Sequence, residues 1–307
     1  MPSKPLVKTL SVYTSSLTDV PTFGAYGATR CDLSGNLYFH LGSEPYSPGV
    51  IMRLEHGDLR PQLYKLPTEM GKEMAFSEFG VSPRGKVRLL EQAKDLHYAV
   101  FTLDSDTSEP DRTNLHIPAH LVITDFVASD NGALLLAGYH DEDAEQDTRG
   151  KSFLALLDAS GRIQKDLTVE GPGSVDLGSV REKLHDGAAT VGPDGNFYFV
   201  SGSSLLVLSA YGDVVKRMPF DKPEKDLAAD SVTVAGDLVS IQFSKVDSKG
   251  VLEREFLVLT ASTGDPYGLY VPSKELGNHC LCFSTRSGYT FLRVENGKLK
   301  LVTAALS

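Results

Sequence analysis

The sequence predicts an all-β fold, a six-bladed β-propeller, and three observations carry that expectation. The first is a phrase of two strand-like stretches around a tight glycine turn. It reads Asp32-Leu33-Ser34-Gly35-Asn36-Leu37-Tyr38-Phe39, then Val81-Ser82-Pro83-Arg84-Gly85-Lys86-Val87, then Ala128-Ser129-Asp130-Asn131-Gly132-Ala133-Leu134. It returns as Val191-Gly192-Pro193-Asp194-Gly195-Asn196-Phe197-Tyr198, as Val234-Ala235-Gly236-Asp237-Leu238 and as Ser284-Thr285-Arg286-Ser287-Gly288-Tyr289. The turn glycines Gly35, Gly85, Gly132, Gly195, Gly236 and Gly288 lie 50, 47, 63, 41 and 52 residues apart, the drifting period of propeller blades. The second observation is another family of turns in the same order: His56-Gly57-Asp58, Ala159-Ser160-Gly161, Ala210-Tyr211-Gly212-Asp213 and Thr263-Gly264-Asp265-Pro266. These link a third strand to a fourth, where positive φ is needed and glycine supplies it. The third is the apolar pattern around each turn, alternating or continuous as strands require.

The elements follow in chain order. A chain of 307 residues could hold two average domains, but a closed repeat array uses that length as one. The blades are expected at about 22–67, 74–117, 120–170, 184–220, 228–271 and 278–307, the last with 5–13 added. Blade three is the clearest, with strands near Val122 to Ser129, Ala133 to Tyr139, Ser152 to Asp158 and Arg162 to Val169. Blade six shows three strands, Cys280 to Ser284, Tyr289 to Glu295 and Lys298 to Ala305, before the sequence ends. The alternating stretch Leu6-Val7-Lys8-Thr9-Leu10-Ser11-Val12 is the spare strand, expected to complete that blade and hide two sheet edges. The 63-residue gap leaves room for a seventh blade; it holds a Gly171-Pro172-Gly173 loop and a helical stretch near Val180 to Leu184.

Composition narrows the function classes. The formal net charge is −10 and no Lys/Arg run could neutralise several phosphates, which argues against nucleic acid and anionic membrane. No stretch is long and apolar enough to span a bilayer as a helix. The opening Met1-Pro2-Ser3-Lys4-Pro5 has no apolar leader core, so a cytosolic monomer is expected; an extracytoplasmic protein whose leader was replaced by Met1 is the alternative. Cys31, Cys280 and Cys282 all fall in strand-like stretches. Cys280 and Cys282 would share one face of a strand, where a bond between them is distorted. All three are expected as buried free thiols.

The phrases Gly192-Pro193-Asp194-Gly195-Asn196-Phe197-Tyr198-Phe199-Val200 and Asp32-Leu33-Ser34-Gly35-Asn36-Leu37-Tyr38-Phe39 resemble the core of NHL-type six-bladed propellers and their regucalcin/gluconolactonase relatives. The resemblance implies the propeller fold over nearly all of the chain. For activity it implies a lactonase holding a divalent metal with a Glu, an Asn and an Asp from inner strands. Glu78 and Asp230 are the residues that could take such roles. The Asn-bearing inner strands of those enzymes have no clear counterpart, and Glu78 falls in blade two rather than blade one.

Propeller geometry places the tight turns on one face and the long loops on the other. His40 to Gly49, Glu91 to His97, His140 to Gly150, Ser201 to Ser204 and Ser244 to Gly250 are expected on the second face, where binding usually falls. Counting six to twelve residues back from each turn glycine gives a ring at the channel mouth: Tyr26, Glu78, His120, His185 with Asp186, Asp230, and Asn278 with His279. Such a set suits a polar ligand or a divalent cation, calcium or zinc. Polar residues also stand there simply because a channel mouth is wet. The acidic run Asp141 to Asp147 lacks the Gly and Glu that an EF-hand loop places at its sixth and twelfth positions, and reads as a solvated loop. No nucleophile elbow, phosphate-binding loop or dinucleotide fingerprint is present. Pro118 separates His116 from His120, so they are no helical metal pair. The expected function is a non-enzymatic propeller that binds a protein, peptide or carbohydrate on its long-looped face. The alternative is a metal-dependent lactonase, hydrolase or lyase at the channel mouth.

Overall fold

A computed structural model of the chain describes residues 7–10, 14–18, 24–42, 50–55, 58–64, 68–69, 72–73, 78–92, 97–103, 110–141, 144–147, 149–167, 189–201, 203–225, 227–246, 252–273, 276, 280–295 and 298–306. It is a six-bladed β-propeller, with no helix among those residues. Each blade is an antiparallel meander running from an inner strand at the axis to an outer strand at the rim. The inner strands are Gly24–Cys31, Glu78–Val81, Leu121–Ala128, Ala189–Val191, Ala228–Ala235 and Cys280–Ser284.

Six apolar clusters hold the ring, one at each boundary between neighbouring blades. This explains the continuous apolar runs. In Leu134-Leu135-Leu136-Ala137 the side chains alternate faces, so Leu135 and Ala137 pack toward blade four while Leu134 and Leu136 pack toward blade two. The sixth cluster joins Leu37, Phe39, Met52 and Leu54 of blade one to Cys282 and Leu301 of blade six, closing the circle.

Both families of glycine turn are one object. In the turns at Gly35, Gly85, Gly132 and Gly195, and in those at Gly161, Gly212 and Gly264, the glycine N–H donates to the carbonyl three residues back. The residue at the start of each turn also donates to the carbonyl four residues on. All seven glycines have φ between +77° and +97°.

Two expectations are corrected. A strand from the N-terminal region does complete blade six, but it is Thr14–Thr18, antiparallel to Lys298–Ala304. Val7–Leu10 instead lies parallel to the outer strand of blade five, Pro266–Pro272, as a fifth strand. The chain leaves Thr18 and starts the inner strand of blade one at Gly24, a step from rim to axis like those between the other blades. Val7–Leu10 then lies on the neighbouring blade. The second correction concerns the cysteines: Cys31 and Cys282 form a disulfide, and Cys280 alone is a free thiol. A bulge at Leu281 breaks the expected alternation. Cys280 therefore packs against the blade five–six cluster while Cys282 faces blade one. The loop and helical stretch expected between 170 and 184 lie outside the described residues.

Candidate functional site

The six inner strands enclose an axial cavity of about 300 Å³, and every one of them contributes to its wall. Polar lining comes from Thr29, Arg30, Thr190, Asp230, Ser231, Thr233 and Gln242, and apolar lining from Val81, Phe126, Val127 and Leu281. Four of the six inner strands carry a bulge against their second strand: between Tyr26 and Arg30, at Thr124, at Asp230 and at Leu281. A bulge breaks the pleat and re-aims side chains, and here it falls beside the charged residues of the axis.

Two polar networks face each other across the cavity. On one side the Arg30 guanidinium lies 3.8 Å from Glu78 and 3.7 Å from Asp125, linking the inner strands of blades one, two and three. Its guanidinium carbon also sits 5.8 Å from the centre of the Phe79 ring. The Asp125 side chain is only 3 % exposed, and a buried carboxylate at this depth requires such a cation. On the other side, the Ser231 hydroxyl donates to Gln242 Oε1 at 2.8 Å, and Gln242 Nε2 donates to Glu255 Oε1 at 2.6 Å. The backbone N–H of Cys280 donates to the same Glu255 oxygen at 2.9 Å. Ser244 donates to Asp230. Burial pushes the Glu255 carboxyl up to about 7; the Asp230 charge adds to this, and the hydrogen bonds from Cys280 and Gln242 offset part of it.

The ring expected from sequence is distributed as follows. Asp230 lines the cavity, and Glu78 holds Arg30, which lines it. Tyr26 pairs with His40 at the start of the blade one inner strand. His120 is not part of the cavity wall. It adopts φ +59°, accepts the Asp141 N–H at 2.9 Å, and brings its Nδ1 to 3.9 Å from the Asp141 carboxylate. The pair fastens the open end of the hairpin formed by Leu121–Ala128 and Leu134–His140. His185, Asp186, Asn278 and His279 lie outside the described residues. Among the described residues no three His, Cys, Asp or Glu side chains assemble as ligands for a calcium or zinc ion. His116 donates its N–H to the carbonyl of Gly161 in a turn of blade three, and Ser201 pairs with Ser204 at the end of a blade four hairpin, both structural roles.

Four residues of this site were not on the expected ring. Asp125 stands seven positions before its turn glycine, the same distance as Glu78, and that equality was the available signal. Arg30 sits at the turn end of its strand, outside the counted window. Gln242 and Glu255 come from second and third strands, where an inner-strand rule has no reach.

No protein-family profile and no curated protein matches the sequence. Solved structures do. A calcium-binding regucalcin from Agrobacterium tumefaciens covers 97 % of this chain and 96 % of its own, with 15 % identity and a TM-score of 0.52. A member of the duf4221 family from Bacteroides vulgatus gives a TM-score of 0.63 at 10 % identity, covering 96 % of this chain and 97 % of its own. A putative gluconolactonase gives 0.52 at 10 % identity, covering 94 % and 91 %. At such identities the likeness is one of fold: the chain is a six-bladed propeller similar in architecture to the regucalcin and gluconolactonase-like group.

Proposed function

We propose that the protein is a non-enzymatic binding propeller that takes a small polyhydroxylated ligand, of carbohydrate class, into its axial channel from the long-looped face. The observation that carries this reading is the mixed lining of the 300 Å³ cavity. That volume lies at the small end of ligand pockets and suits a single sugar ring. Hydroxyls need donors and acceptors at several angles, and Arg30, Asp230, Gln242 and four Ser or Thr hydroxyls offer both. Val81 and Leu281, both half-buried, give the C–H faces of a ring an apolar wall. The Ser231–Gln242–Glu255 chain fixes the orientation of the Gln242 amide in advance, which lowers the entropic cost of binding.

Calorimetric titration with a panel of monosaccharides and sugar acids tests it. The expected result is one-to-one binding that Asp230→Asn weakens about tenfold or more, a hydrogen bond to a charged group being worth ~1.5–3 kcal/mol, and that Gln242→Ala weakens several-fold, a neutral one being worth ~0.5–1.5 kcal/mol. The folded far-ultraviolet spectrum should be unchanged. Absence of binding across the panel, or binding indifferent to both substitutions, overturns the reading. The metal-dependent lactonase reading would need ligands from His185, Asp186, Asn278 or His279 as well. Turnover of a sugar lactone that depends on added calcium or zinc and stops with chelator would replace the binding role with an enzymatic one.

A further inference from the structure

We propose that the Cys31–Cys282 bridge is a redox-operated latch on the axial channel: oxidised, it ties the inner strands of blades one and six; reduced, it frees that stretch of wall. The two residues are 251 positions apart in sequence, with Cα atoms 6.0 Å apart. Blade six is assembled from both ends of the chain, so its seam between Thr14–Thr18 and Lys298–Ala304 has no covalent link of its own. The disulfide makes the same join between the two ends of the chain at the axis, from the inner strand of blade six to the inner strand of blade one. Without it the circle is held there by strand pairing and the blade six–one apolar cluster. Cys31 and Leu281 both line the cavity, so a change at the bridge is a change in the channel.

Cys280 lines the same cavity yet does not compete for the bridge. The Leu281 bulge turns it to the opposite face of blade six from Cys282. Burial, with the Glu255 charge adding to it, pushes the Cys280 thiol well above its ordinary value. Thiolate is the attacking species in exchange, so Cys280 remains a bystander. An external dithiol is the co-reactant. Its thiolate attacks Cys31, the half-buried member of the bridge, because Cys282 is only 2 % exposed. Cys282 leaves as a thiolate, and the reductant's second thiolate then releases Cys31 and departs as a cyclic disulfide. Two electrons and two protons pass to the protein. Bridges of this kind persist in oxidising compartments and yield to cytosolic thiol pools, so the latch reports which surroundings the protein is in.

Cys280 is the built-in reporter. In oxidised protein, a non-reducing peptide map should contain the Cys31–Cys282 cross-linked peptide, and Cys280 should react slowly with iodoacetamide, followed by mass of its own peptide. Dithiothreitol, or the paired change Cys31→Ser with Cys282→Ser, should raise the Cys280 alkylation rate at least tenfold, and reoxidation of the wild type should reverse it. Cys280→Ser should leave the cross-linked peptide in place. If the double variant does not fold, reduced and reoxidised wild type carry the same comparison. A different pairing in the map, equal Cys280 rates in both states, or loss of all β-sheet circular dichroism on reduction would each overturn the latch.

Discussion

Asp32 and Asp194 perform the same task from different turn positions. Each carboxylate accepts the side-chain amide of the next Asn and the hydroxyl of a Tyr: Asn36 and Tyr38 in blade one, Asn196 and Tyr198 in blade four. Asp32 opens its turn, whereas Asp194 stands third in a turn that Gly192 opens. The repeated Asp, Asn and Tyr are therefore fasteners of the hairpin, which is why the phrase is informative for fold and silent on chemistry. Burial and the neighbouring carboxylate both keep the Tyr38 hydroxyl protonated. Gly85, at φ +84°, sits against this fastener: a Cβ there would lie 2.6 Å from the Tyr38 hydroxyl and 2.9 Å from Asp32 Oδ2. Gly195, at φ +77°, has nothing within 4 Å. Gly195→Ala should cost only the left-handed backbone penalty of about 1–2 kcal/mol. Gly85→Ala should cost at least twice as much, measured by urea denaturation. Equal costs would mean that the blade one–two contact contributes nothing. Glu255 gives a pH signature. Its folded value of about 7 exceeds the ordinary 4.5, so the folded state binds the proton more tightly than the unfolded chain. That contribution is complete below about 4.5 and is lost as pH rises through 7. Glu255→Gln should therefore raise the melting temperature at pH 8, where the wild type carries a penalty of about 3 kcal/mol, and make little difference at pH 4.5. A shift independent of pH would refute the assignment.

Neighbouring strands and turns are coupled at roughly one blade's spacing along the chain. Ser82 donates to Asp130 at 2.6 Å, Arg88 to the Ser129 carbonyl at 2.6 Å, Lys165 to Asp213 at 2.7 Å and Lys216 to the Ser262 carbonyl at 2.6 Å. These links stitch blade two to three, three to four and four to five. Strand assignment from periodicity succeeds where an element is apolar on both faces, as in blade three. It fails for Thr14–Thr18, whose sequence Thr-Ser-Ser-Leu-Thr has one apolar residue, because a rim strand needs backbone pairing more than burial. Truncation separates the two N-terminal strands. Removing residues 1–13 should lower stability modestly, since it takes away only the parallel fifth strand of blade five. Removing residues 1–18 should expose an unpaired edge on blade six and cause aggregation or a large loss of melting temperature. Equal melting of both truncations and the parent would show that the seam does not close as described.

The ring as a whole is closed at one boundary by three means of different physical kind: an apolar cluster, a borrowed strand and a covalent bond. Tying positions 251 apart removes denatured-state entropy worth about 5 kcal/mol in the chain-entropy picture. The same closure brings Arg30, Glu78 and Asp125 from three blades to one axis, and sets Gln242, Glu255 and Cys280 opposite them. Sequence alone determined what is local and repeated: the turns, the strands between them and the place of Glu78 and Asp230 on inner strands. These are properties of short windows, where glycine's freedom and period-two burial act residue by residue. The cysteine pairing, the strand that fills blade six and the carboxylate–guanidinium–amide lining were decided only by tertiary structure. Each depends on which residues far apart in the chain the closed ring sets face to face, and bulges of a single residue reverse the facing that alternation would assign.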